Sequence, residues 1–117
     1  MRLISTKTRE VPVEDAVFTI RSLDSEERAR LMEESFIVEP TGPESKMRMR
    51  INLVRYQLRA CQEGIVDWKG IKDENGKEVP FDKNLVKRLE PHVLDTLSSE
   101  IIGTAGLSEE EEASLRG

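Results

Sequence analysis

The sequence predicts an α+β domain, mainly α-helical, with a small N-terminal antiparallel β-sheet and a β-hairpin near residues 65–81. Three observations carry that expectation. Residues 16–22 alternate between two faces, an apolar stripe runs along residues 44–63, and Asn75-Gly76 stands between two short apolar runs beside the sole tryptophan, Trp68. At 117 residues the chain fits one domain, β-rich over 1–23 and mainly helical with the hairpin at 65–81 over 24–117.

In residues 16–22, Ala16, Phe18 and Ile20 fall on one side and Val17, Thr19 and Arg21 on the other. A period of two with β-branched residues describes a half-buried strand. Its antiparallel partner is expected within residues 2–13, where Pro12 keeps the backbone extended. Asp24 followed by Glu27 has the spacing of a capping box and starts a helix whose Leu31, Met32 and Phe36 face the core. Pro40-Thr-Gly-Pro43 then breaks the chain into an expected mobile loop.

Residues 44–63 read as one long helix. Met47, Ile51, Val54, Leu58 and Cys61 recur at spacings of four, three, four and three, a single stripe down one face. Gly64 is expected to stop it in a left-handed conformation. The following segment reads as 65–71 out, a type I′ reversal at 73–76 and 78–81 back, with Pro80 confining the return strand to an edge. Asp82 can cap a short helix, and Pro91 suits the first turn of another that carries Val93, Leu94, Leu97, Ile101 and Ile102. Ser108 and Glu111 suggest a last short helix.

Composition narrows the classes of function. Hydrophobic residues make up 37% and charged residues 35%, so a modest core sits under a heavily charged surface. The net charge of −5 disfavours a general nucleic-acid binder, which needs a basic surface to neutralise phosphates. A single cysteine cannot form an internal disulfide, and a reducing cytoplasm is the expected location. No apolar run approaches the ~20 residues that cross a bilayer, and no signal-peptide core stands at the N-terminus.

Candidate chemistry is sparse, and no enzyme activity is expected. His92, the only histidine, stands at a helix start with no nucleophile motif to pair with it. Cys61 lies on the apolar stripe, where a thiol behaves as a small hydrophobe. One Cys and one His assemble no zinc site. The acids around Asp73–Glu78 lack calcium-loop spacing and are opposed by Lys69, Lys72 and Lys77, so no metal or other cofactor is expected. Partner-binding residues are sought instead. Trp68 and Phe81 at the hairpin, Met49 and Tyr56 beside the apolar stripe, and Arg55 and Arg59 on the basic helix face are the candidates.

Three stretches resemble small phage and prophage proteins of the tail assembly chaperone type. They are Phe18-Thr-Ile-Arg-Ser-Leu-Asp-Ser-Glu-Glu-Arg28, the run from Ile65 through Trp68-Lys-Gly70 and Asn75-Gly76 to Pro80-Phe81, and Asn84 through Ile102 to Gly106-Leu-Ser-Glu-Glu-Glu111. The resemblance implies a virion-assembly factor in the cytoplasm of a bacterial host. It would hold the tape measure protein, and tail tube subunits, soluble until the tube polymerises, with no catalytic residues to transfer. The expected partners are those tail proteins. Homo-oligomerisation stays open, nucleic acid is disfavoured and no membrane is involved. Two alternatives are a DNA-binding regulatory module using the basic helix 46–59 and a minor structural protein of the particle. If Trp68 anchors a partner, Trp68→Ala weakens binding at nearly intact stability. A loss of several kcal/mol would mark it as core.

Overall fold

A computed structural model describes Leu3 and residues 7–41 and 46–103. The anticipated N-terminal sheet forms from β1 (Thr8–Val13) and β2 (Ala16–Arg21), antiparallel and in register from Thr8↔Arg21 to Val13↔Ala16. Along β2 the alternation is realised as Ala16, Phe18 and Ile20 buried, with Val17, Thr19 and Arg21 half-buried on the other face. Pro12 lies on β1, an edge strand, where a missing amide is tolerated. Glu14 turns the chain between the two strands at φ 55°.

Helix α1 (Ser25–Ser35) starts with the capping box its sequence announces. Asp24 Oδ1 accepts from Glu27 N at 2.7 Å, and Glu27 Oε1 accepts from Asp24 N at 3.2 Å. Leu31 is buried, whereas Phe36 has left the helix and is 41% exposed.

The expected helix over 44–63 is corrected. Residues 36–41 form β3 (Phe36–Thr41) and residues 46–51 form β4 (Lys46–Ile51), an antiparallel hairpin in register from Phe36↔Ile51 to Thr41↔Lys46. Pro40 and Thr41 therefore belong to a strand, and the remainder of the expected loop lies outside the described residues. The helix proper, α2, spans Leu53–Gly64 and is capped by Asn52, whose Oδ1 accepts from Arg55 N at 3.1 Å. The Lys-Met-Arg-Met-Arg-Ile run alternates every second residue, and its cross-strand neighbours Ile37 and Val38 are β-branched, so pairing prevails over a helical stripe. No single basic helix over 46–59 exists.

Gly64 also differs from expectation. Its φ is not positive, and α2 passes directly into an extended Ile65. The glycine is needed for room: a Cβ there would lie 2.6 Å from two carbons of Ile101.

Strand β5 (Ile65–Lys69) joins the N-terminal sheet rather than a hairpin of its own, giving the order β1-β2-β5. It pairs antiparallel with β2, Phe18 opposite Trp68, with a bulge at Thr19/Ile20. The anticipated hairpin shrinks to one bridge, Lys72↔Glu78, closed by the five residues Asp73–Lys77. Only Gly76 in that loop has positive φ, so the reversal is not type I′. Asp73 organises it instead, its Oδ1 accepting from Asn75 N at 2.9 Å and Lys77 N at 3.0 Å.

A 3-10 helix (Lys83–Arg88) capped by Asp82 and a final helix α3 (Pro91–Gly103) complete the described chain. The suggested helix at Ser108 lies outside it. The fold is thus mixed α+β with two antiparallel sheets, and helix does not dominate as expected. One core fills the space between the three-stranded sheet and the helices. It is built from Phe18, Ile20, Leu23, Leu31, Ala60, Cys61, Trp68, Val86, Leu97 and Ile101, all at most 4% exposed.

Ion pairs tie the elements at one corner. The Arg21 guanidinium meets both carboxylate oxygens of Glu27, and Glu63 receives Arg21 at 3.9 Å, Arg59 at 3.4 Å and Lys83 at 3.3 Å. The Arg21 hydrogen bonds hold the Glu27 carboxyl down to about 2. A carboxyl with a depressed folded-state pKa adds stability that is complete above its ordinary 4.5 and is lost as pH falls toward 2. An acid-unfolding series is expected to show a shallower loss over that window in Glu27→Gln than in the wild type. Trp68→Ala is expected to cost about 3–5 kcal/mol in denaturant melts, the range for a buried aromatic.

Candidate interaction surface

The six sequence-predicted binding residues separate into two groups. Trp68, 4% exposed, is core. Its ring meets Phe18 edge-on at 6.2 Å and Phe81 at 5.0 Å, and its indole N–H donates to Val79 O at 2.8 Å. Phe81 is half-buried against it, and Tyr56 is buried inside α2. Arg59 is spoken for by Glu34 at 2.8 Å and Gln62 at 2.8 Å. Met49 and Arg55 alone stand in the open, Met49 at 63% exposure.

Met49 leads to a surface the sequence reading missed. Residues opposite one another in a sheet share a face, so the Phe36↔Ile51 and Val38↔Met49 pairs put four apolar side chains on one side of the hairpin. All four are exposed, and Leu53 and Val54 in the first turn of α2 continue the apolar surface along the chain at 61% and 74%. The other side carries Ile37, Glu39, Arg48 and Arg50, with Glu39 paired to Arg50 at 2.7 Å. The hairpin is an amphipathic two-stranded ribbon that packs chiefly on itself. The signal was present as a short apolar run with two β-branched residues, Phe-Ile-Val, and an alternating run, Arg-Met-Arg-Ile, the second masked by a helical spacing that fitted equally well.

The ribbon's base is held firmly. Asn52 N donates to Ser35 O at 2.8 Å, joining the end of α1 to the start of α2. Ser35 is itself buried and donates its hydroxyl to Leu31 O at 2.7 Å. The Arg59–Glu34 pair braces the same two helices and lowers the Glu34 carboxyl's pKa.

Groups with reactive chemistry are placed differently. His92 is exposed, its Nε2 2.8 Å from Glu14 Oε1 and its Nδ1 3.3 Å from Glu90. Cys61 is buried, its Sγ 3.4 Å from Leu94 O, and burial pushes the thiol up to about 12. Among the described residues no group of His, Cys, Asp and Glu could hold a metal ion. Likewise, no helix among them is long and apolar enough to cross a membrane.

The described residues thus form a charged α+β body that exposes one apolar ribbon face. The chain belongs to the YdaY prophage protein family, whose model matches residues 2–116. No curated protein and no solved structure matches it. The family assignment agrees with the phage or prophage origin that the sequence resemblance implied.

The Cys61 environment gives a direct check on the core. The native protein is expected to resist alkylation at pH 8, where a thiol with an ordinary pKa reacts, and to label fully once unfolded in urea. Rapid native labelling would show that the contact between α2 and α3 opens.

Proposed function

We propose that this prophage protein is a non-enzymatic tail assembly chaperone, working in the cytoplasm of the bacterial host and holding the tape measure or tail tube protein before polymerisation. The observation that carries the reading is the apolar face of the β3–β4 ribbon, exposed and unpartnered among the described residues. Monomeric soluble proteins rarely leave contiguous apolar patches beyond a few hundred Å² uncovered unless the patch binds something. Here the patch is mounted on a body whose opposite ribbon face and surface are charged, which keeps such a holder soluble.

The chemistry of the face also suits a varied client. Met49 is flexible and polarizable, and repacks cheaply against different shapes. Phe36 supplies a large aromatic contact of the kind that anchors interfaces. Trp68, by contrast, supports the fold from the core, and the client-binding role passes from the Trp68–Phe81 region to the ribbon. Arg55, exposed in the first turn of α2, stands where it can steer an acidic client segment.

Co-expression with the tape measure protein of the same prophage tests the reading. The wild type is expected to co-purify with the client and keep it in the supernatant. Met49→Asp is expected to lose at least about tenfold in affinity, the scale of a disrupted hot spot, with its thermal midpoint unchanged. Failure of the wild type to bind any tail protein, together with normal tails after gene deletion, would overturn the proposal. A chaperone should be missing from finished particles, whereas a minor structural protein should appear in their mass spectra.

A further inference from the structure

From the ribbon's geometry we infer that the free protein covers this face with a second copy of itself, packing the Phe36, Val38, Met49 and Ile51 sides of two ribbons face to face. The self-association stands on geometry alone. Its role as a reversible cap over the client site rests on the chaperone reading above.

A lone two-stranded hairpin is at best marginally stable in water and needs further strands or packing. Among the described residues this one gains no further strand and packs chiefly on itself. Its edges are poorly suited to adding strands. The hydrogen-bonded Ser35–Asn52 pair sets the alternation, so residues 37 and 39 point their amides inward to β4 while 36, 38 and 40 point theirs outward. Of those three outward positions, Pro40 has no N–H and Phe36 gives its own to Glu33 O, which leaves Val38 as the only donor. On the β4 edge, a two-fold pairing about Met49 would set Arg48 opposite the other copy's Arg50, a like-charge contact that destabilises a sheet pair.

Face-to-face packing meets neither obstacle. Glu39, Arg48 and Arg50 all lie on the far side, so no charge is desolvated. The fit in extent is also favourable. Two strands of six residues present a face roughly 20 Å long and 10 Å wide, which an identical face covers completely. A single client strand, about half as wide, would leave part of it wet. The face, with Leu53 and Val54 added, supplies about half of the ~800 Å² per partner of a standard interface, so the dimer should be weak and displaceable.

Sedimentation velocity over a concentration series tests this directly. The wild type is expected to pass from monomer to dimer with a midpoint on the order of 10–500 μM. Met49→Asp should raise that midpoint more than about tenfold, while Val66→Asp, on β5 away from the ribbon, should leave it unchanged. Pro40→Val, which restores an edge donor, should also leave it unchanged. A wild type monomeric up to about 1 mM overturns the inference even if Met49→Asp misfolds, and tighter association of Pro40→Val overturns the face-to-face arrangement. Adding the tape measure client should convert dimer to a mixed complex. A monomeric protein that still binds client through Met49 sinks the dimer and spares the chaperone reading. A Met49-dependent dimer that binds no tail protein does the reverse.

Discussion

The body of this protein is organised around the burial of Trp68 against Phe18. The two rings meet edge-on across the β2–β5 pairing, and Phe81 closes on the indole from the other direction. Edge-to-face aromatic pairs add on the order of 1 kcal/mol each beyond the area they bury. The indole N–H, a donor that would be costly to bury unpaired, is satisfied by Val79 O. One side chain thereby fixes the third strand of the sheet, the irregular segment that follows it, and the floor on which α2 and α3 rest. Gly64 matters for the same reason, since it lets Ile101 approach α2 closely enough to seal the core.

The ribbon obeys a different constraint. It is tied to that body by its base, through the Asn52–Ser35 hydrogen bond and the Glu34–Arg59 pair, while Phe36, Val38, Met49 and Ile51 on its apolar side stand exposed. Polar bonds at the root and apolar side chains at the surface make a tethered, exposed face. The contrast with the ion-paired corner around Glu63 is instructive. There Arg21, Arg59 and Lys83 converge from three elements on the Glu63 carboxylate.

Several elements could be read from the residues. The alternation of Ala16, Phe18 and Ile20 forces a strand whichever partner it finds, and Asp24 with Glu27 satisfies helix amides by local bonds. Asp82 and Pro91 act over one turn of chain in the same way. The ribbon was misread because Met47, Ile51, Val54 and Leu58 fit a helical period while Met49 and Ile51 fit a strand period. The Asn52 cap marked the true boundary. Trp68 was open to both an anchoring and a packing role, because an aromatic beside a turn looks the same in either setting.

Local order and the capping points were written into the chain itself, since each depends on neighbours within a few positions. Which strands pair was settled only in three dimensions. Ile65–Lys69 joined β2 across some forty-five residues of sequence, and Phe36–Thr41 found Lys46–Ile51 in preference to a helix. Pairing free energy comes from side chains brought together across the fold, and a linear pattern that suits two periods has no means of choosing between them.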